Sequence, residues 1–138
     1  MQQILVTGGA GRLGRLVVKH LSAAGYRVRG MSRRASPGED WPGAEWVRAD
    51  LETGAGLAEA VQGMDVVVHL AILGASMVDF EGTRRLVDAA RLAGVSHLVF
   101  ISIVGIDRVP WAGGKAKLAS EDLIEHSGIP WTILRATQ

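Results

Sequence analysis

Short apolar runs alternate along this chain with stretches of helical spacing, and this alternation limits the fold more than any other feature of the sequence. The first run, Gln3–Val6, ends at a glycine turn, and from Leu13 apolar residues recur every three or four positions as far as Gly25. The run Asp65–Leu70 contains three consecutive valines, which is typical of a strand buried on both faces of a parallel sheet. The alternation therefore predicts a parallel α/β sheet with right-handed crossovers.

These runs, and the glycines between them, define the predicted elements. The predicted strands are Gln3–Val6, Tyr26–Met31, Trp46–Val47, Asp65–Leu70, His97–Ile103 and Trp131–Leu134. The predicted helices begin at Leu13, Leu57, Met77 and Lys115, and a loop covers Ser32–Gly43. Six strands make two βαβαβ halves, so we expect residues 1–138 to form a single Rossmann-type domain, a doubly wound parallel sheet of strand order 3-2-1-4-5-6 with helices on both faces.

The composition excludes several classes of function. The chain has 15 Lys and Arg against 14 Asp and Glu, so we expect no general attraction for nucleic acid or for a membrane surface. It has no cysteine, which excludes disulfides and thiolate chemistry. Neither His69 nor His97 has partners at ligand spacing, so we expect no metal site. Without a secretory signal or an apolar run of membrane-spanning length, a cytoplasmic protein is expected.

The turn after the first strand has the residues expected of a dinucleotide-binding loop. It satisfies two overlapping patterns, GxGxxG from Gly9 and TGxxGxxG from Thr7. One glycine makes the tight turn, another lets the backbone approach a pyrophosphate, and Gly14 lets helix and strand pack closely. The helix that follows presents free N–H groups to the phosphates, although a tight turn without a ligand is the alternative. The candidate residues are Thr7, Gly8, Gly11, Arg12, Leu13 and Gly14.

The end of the second strand indicates which dinucleotide is bound. An acidic residue about 20 positions after the glycine turn would contact the ribose 2′-hydroxyl of NAD. Here the strand ends at Ser32, Arg33 and Arg34, and no acid occurs before Glu39. Two arginines are suited to a 2′-phosphate, so NADP(H) is favoured over NAD(H). The alternative is that both arginines are ordinary solvated loop charges.

Residues at the ends of three further strands lie where a parallel sheet binds its ligand, near the carboxyl ends of the strands. Asp50 and Leu51 follow the third strand and are candidates for an adenine contact, although Asp50 is equally suited to capping the next turn. Leu70 and Ala71 follow the fourth strand. Ser102 ends the fifth strand, where it would hydrogen-bond a substrate carbonyl or merely satisfy the strand end.

Several of these stretches together resemble a known family. They are Thr7-Gly8-x-x-Gly11-x-x-Gly14, Asp50-Leu51, Val68-His69-Leu70-Ala71, Glu81–Ala90 and Gly128–Arg135. The chain resembles the atypical short-chain dehydrogenase/reductases, above all the NmrA-like, NAD(P)H-binding branch related to isoflavone reductases and NAD(P)H:quinone oxidoreductases. The resemblance extends from Ile4 to Gln138 and implies NADPH-dependent reduction or dinucleotide sensing.

The resemblance also implies catalytic residues, and here the chain departs from the family. Catalytic members commonly have Tyr-x-x-x-Lys at the start of the fifth helix. Lys117 resembles the lysine that holds the nicotinamide ribose, with a surface pair to Glu121 as the alternative. Aligning on Lys117 puts Gly113 at the tyrosine position, and the other register, Trp111-x-x-x-Lys115, offers a tryptophan, which cannot serve as an acid. The only tyrosine, Tyr26, is expected at the sheet end away from the cofactor.

The second departure concerns length. The family continues past the last strand into a smaller substrate-binding portion, and we expect most of it to be missing here. The edge thus left uncovered would favour homo-oligomerisation. The leading hypothesis is an NADP(H)-dependent oxidoreductase that reduces a carbonyl or quinone-like small molecule. The alternative is a non-catalytic sensor whose dinucleotide state is read by a protein partner.

Overall fold

The computed structural model describes residues 2–39, 41, 43–71, 76–103 and 112–136, and for residues 76–78, 103 and 112–114 it describes the backbone alone. Within these residues six strands form one sheet: β1 Gln3–Thr7, β2 Arg27–Ser32, β3 Glu45–Arg48, β4 Val66–His69, β5 His97–Ile103 and β6 Trp131–Ala136. Every neighbouring pair is parallel, and the strand order is β3-β2-β1-β4-β5-β6. The predicted Rossmann-type topology is confirmed.

Four helices connect the strands in the described part of the chain: α1 Arg12–Ala23, α2 Leu57–Val61, α3 Ser76–Ala93 and α4 Ala112–Glu125. Gly25 and Gly94 follow α1 and α3 with φ of +94° and +76°, left-handed conformations that end a helix without Cβ strain. The element boundaries differ from the prediction by at most three residues, and β5 has the predicted bounds. Tyr26 precedes β2 and does not belong to it, and α4 begins at Ala112, three residues earlier than predicted.

The hydrophobic core lies on both faces of the sheet. Successive strand residues point to opposite faces, so Leu5 joins one cluster while Ile4 and Val6 join the other. The larger cluster contains buried residues of α2, α3 and α4, whereas the smaller one packs β1 and β2 against Val18 of α1. This two-sided packing explains the nearly continuous apolar character of the central strands.

The registers bring the ends of β1, β2 and β4 to one edge of the sheet, which we call the carboxyl edge. Thr7 at the end of β1 pairs with Met31 of β2 on one side and with His69 of β4 on the other. His69 in turn pairs with Phe100 of β5. The residues that follow β1, β2 and β4 therefore converge at this edge, where parallel sheets bind their ligands.

Candidate functional site

The glycine turn allows α1 to approach β1 much more closely than side chains would permit. Gly8 has φ of +67°, and a Cβ there would lie 3.1 Å from the backbone of Ala71. A Cβ at Gly14 would lie 2.0 Å from the carbonyl oxygen of Gly8, which is an impossible contact. The predicted role of Gly14 in close packing is thus confirmed. At Gly11 the nearest atom is the same oxygen, but at 3.3 Å, so this position is much less crowded.

The N-terminus of α1 opens toward the carboxyl edge. Gly11 is the N-cap residue, and no side chain of the described residues caps it. The first bond of the helix runs from the N–H of Arg15 to the carbonyl of Gly11 at 2.9 Å. The N–H groups of the first turn have no acceptor within the helix, and the helix dipole adds a partial positive charge there. Since this turn contains no acidic residue, it is suited to an anionic group.

A cleft of about 470 Å³ lies over this helix terminus. Of the residues predicted to bind a cofactor, it is lined by Gly8, Gly11, Arg12, Leu13, Gly14, Ser32, Arg33, Arg34, Leu51, Leu70 and Ala71. Residues that the sequence did not single out complete the lining: Ala10, Met31 and Ala49. The fold therefore brings together groups from four separate stretches of the chain.

Two predicted cofactor residues, Thr7 and Asp50, lie outside this lining. The Thr7 side chain is fully buried, and its hydroxyl oxygen accepts hydrogen bonds from the N–H groups of Leu70 and Ala71 at 2.9 and 3.1 Å. Asp50 accepts a hydrogen bond from the N–H of Glu52 at 2.8 Å, which is the turn-capping alternative considered above. Both residues shape the cleft by holding backbone that lies beside it.

The arginines after β2 line the cleft from the side opposite β4. The carbonyl of Arg33 accepts a hydrogen bond from Nε of Arg48 at 3.1 Å, and the N–H of Arg34 donates to Oγ of Ser32 at 3.1 Å. The guanidinium of Arg33 lies 3.8 Å from the carboxylate of Glu52, and both side chains are more than half exposed. Hydrogen bonds thus hold the backbone of Arg33 and Arg34 in place, and both residues are exposed to solvent.

Arg15 is a positioning residue that the sequence analysis missed. Its guanidinium donates to the carbonyl of Ala10 in the glycine turn at 3.0 Å and to that of Glu39 at 3.1 Å, and it also contacts the carbonyl of Pro37. It thereby ties the loop after β2 to the glycine turn. The detectable signal is its place on α1, four residues after Gly11, where a side chain lies near the helix N-terminus.

A buried chain of hydrogen bonds starts at Thr7 and ends on α3. Because the Thr7 oxygen already accepts two N–H groups, its own proton goes to Nδ1 of His69 at 2.8 Å. Thr83 donates to the carbonyl of Asp79 at 3.0 Å, so it accepts the proton of His69 Nε2 at 2.9 Å. The network therefore selects the neutral imidazole with its proton on Nε2. Burial, with a smaller contribution from Lys117, lowers the pKa of His69 to about 3.

Ser102 and Lys117, the predicted catalytic pair, lie near the carboxyl end of β5: Ser102 is the penultimate residue of the strand and Lys117 reaches it from α4. Nζ of Lys117 lies over the ring of Phe100, 4.9 Å from its centroid, and 3.4 Å from the carbonyl of Ile101. Burial lowers the pKa of Lys117, and the charges of Asp79 and Glu121 oppose that effect.

The Ser102 hydroxyl is buried, and it has no hydrogen-bond partner among the described residues. An unpartnered buried hydroxyl at a strand end is a group that a ligand oxygen would satisfy. Glu121, the alternative partner of Lys117, is instead engaged by Arg135 through two contacts of 2.7 and 3.2 Å.

The tyrosine is far from this arrangement, as the sequence predicted. Tyr26 lines a second cavity of about 380 Å³ at the amino ends of the strands, together with Gln3 and Arg27. Gly113 lies in the first turn of α4. Within the described ranges, no group of three or more His, Asp or Glu side chains is arranged to hold a metal ion. None of the described helices is both long enough and apolar enough to span a membrane.

A doubly wound sheet with a glycine turn, an open helix N-terminus and a cleft at the carboxyl edge defines a dinucleotide-binding Rossmann domain. The chain belongs to the NAD(P)H-binding family, because the model of that family matches residues 8–138.

Individual relatives agree with this assignment. Over 144 aligned residues the chain is 31% identical to the photosystem II assembly factor Ycf39 of Cyanophora paradoxa, covering 96% of this chain and 44% of that protein. A solved short-chain dehydrogenase/reductase superfamily protein of Agrobacterium tumefaciens, with bound NAD, is 35% identical with a TM-score of 0.79, covering 97% of this chain and 48% of that one.

The NADPH-dependent quinone oxidoreductase QOR2 of Escherichia coli, solved in complex with NADPH, is 25% identical with a TM-score of 0.84; the alignment covers 96% of this chain and 48% of that one. The chain therefore spans about half the length of these proteins.

Proposed function

We propose that this chain provides the dinucleotide-binding part of an NADP(H)-dependent oxidoreductase that reduces a carbonyl or quinone-like small molecule. The observation that carries the proposal is the cleft over the N-terminus of α1, with Arg33 and Arg34 on its far side. The similarity to a quinone oxidoreductase solved with NADPH supports both the cofactor and the acceptor.

Each part of the cleft has a role in this proposal. The free N–H groups of the first turn of α1 hold the pyrophosphate, with Arg12 beside them. Arg33 and Arg34 pair with the 2′-phosphate, and Leu51 forms an apolar wall for the adenine. The backbone at Leu70 and Ala71, fixed by the Thr7 hydroxyl, borders the path toward the nicotinamide. The bound cofactor would supply a hydride.

Lys117 of α4 and Ser102 of β5 act where the nicotinamide meets the substrate. Lys117 holds the nicotinamide ribose, and its lowered pKa reflects a half-buried position suited to contact with a ligand. Ser102 donates its unpartnered hydroxyl to the substrate oxygen. Hydride transfer would leave an oxyanion on the substrate, which takes a proton from water or from Lys117. A quinone acceptor reduces the need for a tyrosine proton donor, because the anion of a hydroquinone is a weaker base than an alkoxide. We place this reaction in the cytoplasm, as the sequence predicts.

Calorimetric titration with NADPH and NADH tests the cofactor assignment. We expect NADPH to bind more tightly, and the double variant Arg33→Ala/Arg34→Ala to lose more than about 2 kcal/mol of NADPH affinity, since two charge-assisted contacts are removed. The control, Arg27→Ala/Arg84→Ala, removes the same charge outside the cleft lining and should change affinity less than about twofold. If both double variants lost the same NADPH affinity, the loss would reflect the change in net charge and not contacts of Arg33 and Arg34 with the 2′-phosphate.

Turnover tests the reaction itself. We expect NADPH oxidation with a quinone, and at least a tenfold decrease of kcat/KM in Lys117→Met and in Ser102→Ala. NADPH affinity should fall in Lys117→Met but persist in Ser102→Ala, because only the lysine is proposed to contact the cofactor. Tight binding of NADPH without oxidation by any quinone, aldehyde or enone would refute the enzymatic proposal.

Two observations favour a second candidate, a dinucleotide-binding protein without catalysis. The tyrosine position of the family is Gly113, and Tyr26 lies at the opposite edge of the sheet. A relative that is 31% identical to this chain is a photosystem II assembly factor. Such a sensor would bind the reduced and oxidised dinucleotides with different affinity, and titrations with NADPH and NADP⁺ would show that difference in the absence of turnover.

A further inference from the structure

One acidic side chain lies beside Arg33, one of the two arginines that are proposed to hold the 2′-phosphate. The carboxylate of Glu52 is 3.8 Å from the guanidinium of Arg33. Glu52 follows β3, so it reaches this position from a different stretch of the chain. It is therefore absent from the end of β2, the usual place for an acidic ribose ligand.

Both partners of this ion pair start from backbone that is hydrogen-bonded in place. The turn after β3 is closed by bonds from the N–H of Glu52 to the Asp50 carboxylate at 2.8 Å and from the N–H of Gly54 to the Asp50 carbonyl at 2.7 Å. On the other side, Arg48 holds the carbonyl of Arg33 at 3.1 Å. The proximity of the two charges is thus built into the fold and does not depend on a chance rotamer alone.

The charge of Glu52 affects the two dinucleotides in opposite ways. A 2′-phosphate carries a charge of about −1.5 to −2 near neutral pH, so it competes with Glu52 for Arg33 and is repelled by the carboxylate. A ribose 2′-hydroxyl has no charge to be repelled, and a carboxylate is the usual acceptor for its proton. Because the pair is exposed, its own contribution to stability is small, and the arginine can exchange partners readily.

We infer that Glu52 is a specificity-determining residue that limits the preference of this site for a 2′-phosphorylated dinucleotide. The inference rests on the proposed function, since it assumes that the adenosine half of the dinucleotide lies against Arg33. It predicts that the wild-type chain discriminates between the two dinucleotides less than its two arginines alone would allow. Neutralising one carboxylate should therefore sharpen the discrimination.

The test compares two probes that differ only at the relevant position, adenosine 2′,5′-bisphosphate and 5′-AMP, titrated into the full chain at low salt. In Glu52→Gln we expect the affinity ratio of bisphosphate to AMP to rise about 5- to 10-fold, because one nearby repulsive charge is removed. AMP affinity should stay the same or decrease. At about 0.5 M salt the gain should shrink, since the pair is exposed to solvent.

A matched control separates this local effect from the loss of one negative charge. Glu45, the first residue of β3, is similarly exposed and pairs with Arg29 at 3.2 Å, but Glu45 and Arg29 border the cavity at the amino ends of the strands. Glu45→Gln should change the affinity ratio less than about twofold. Glu52 acts in two ways, by occupying Arg33 and by repelling the phosphate directly, and only the second remains when Arg33 is absent. Replacing Glu52 in an Arg33→Gln background should therefore raise the affinity ratio by at most half as much as it does in the wild type.

The outcomes distinguish this inference from the proposed function. An unchanged ratio in Glu52→Gln, or an equal rise in Glu45→Gln, overturns the inference and leaves the cofactor proposal intact. If the wild type prefers AMP while Glu52→Gln gains bisphosphate affinity, the preference for NADP(H) is wrong and the role of Glu52 stands. If the wild type binds neither probe, nor NADPH or NADH, both are overturned.

Discussion

Within the glycine turn, Gly11 and Gly14 differ in what a methyl group would meet. A Cβ at Gly14 would lie 2.0 Å from the Gly8 carbonyl oxygen, whereas at Gly11 the same oxygen is 3.3 Å away. We expect Gly14→Ala to lower the free energy of unfolding by at least about 3 kcal/mol, because the backbone of the turn must move. Gly11→Ala should cost within about 1 kcal/mol.

Denaturant unfolding of the two variants measures this difference. NADPH affinity should follow a different order from stability, because the methyl group introduced by Gly11→Ala would border the cleft and obstruct a pyrophosphate. We expect folded Gly11→Ala to lose at least tenfold in NADPH affinity. Wild-type affinity in Gly11→Ala would place the phosphates elsewhere.

His69 should make the protein sensitive to acid. Its pKa is about 3 in the native state, below the ordinary value of 6.5, because the neutral ring is buried. The unfolded chain therefore binds this proton at a higher pH than the native state does. The stabilisation is fully present above about pH 6.5 and is lost as the pH falls toward 3, at about 1.4 kcal/mol per pH unit.

Urea unfolding at a series of pH values checks this expectation. In His69→Gln the slope of the unfolding free energy between pH 6 and 4 should be shallower by about one proton, although the variant is less stable at pH 7. His126 provides the control, because a hydrogen bond to the Asp122 carbonyl raises its pKa, so replacing it should not make this slope shallower. A slope in His69→Gln equal to that of the wild type would show that the ring is not held neutral.

At the scale of elements, Arg29 of β2 caps the short helix α2. Its Nη1 donates to the carbonyls of Glu59, Ala60 and Gln62 at 3.2, 2.8 and 3.0 Å. A helix of five residues has little stability of its own, and its last carbonyls need partners. We expect Arg29→Met to destabilise the protein by about 1–3 kcal/mol, the cost of leaving carbonyls without a charged donor.

Thermal unfolding of Arg29→Met should show this loss. The control is Arg27→Met, two residues earlier on the same strand, which removes an exposed arginine and should change stability by less than about 0.5 kcal/mol. Equal effects of both substitutions would mean that the loss of charge, and not the cap, is responsible.

The elements that could be predicted have a regular spacing of apolar residues or a glycine that ends them. The order of strands and helices could be predicted because apolar periodicity and turn glycines are local properties. The boundaries shifted where a tertiary contact intervenes. The predicted strand Asp65–Leu70 is shorter at both ends, since the Asp65 carboxylate accepts the N–H of Gln3 at 2.8 Å and the N–H of Leu70 donates to the Thr7 hydroxyl at 2.9 Å.

At the scale of the whole molecule, the two outermost strands of the described sheet, β3 and β6, differ in their side chains. On β3, Glu45 and Arg48 place charges along the edge, which discourages pairing with another strand. On β6, Trp131 and Leu134 are 43% and 52% exposed. We expect this chain to associate at high concentration through β6, because exposed apolar side chains here accompany unpaired backbone groups.

Light scattering over a range of concentrations tests this association. Leu134→Lys should shift the protein toward the monomer by adding a charge to the edge. Leu92→Lys is the control, because Leu92 is 91% exposed on α3, away from the sheet edge. A monomer at every concentration, or an equal effect of both substitutions, would contradict the expectation.

The sequence by itself determined the fold and the position of the glycine turn. Both depend on patterns within a few residues, apolar spacing and backbone that only glycine tolerates, which can be recognised without knowing what lies beside them. It also placed most of the cleft lining, because the ends of parallel strands meet at one edge whatever their side chains are.

Only the tertiary structure decided what each polar group in the site touches. The Thr7 hydroxyl contacts the backbone of Leu70 and Ala71 and the ring of His69, which is 62 residues away in the chain. Glu52 reaches Arg33 through the pairing of β2 with β3. Hydrogen bonds and ion pairs depend on distances of a few ångströms between groups that are remote in sequence, and the register of the sheet sets those distances.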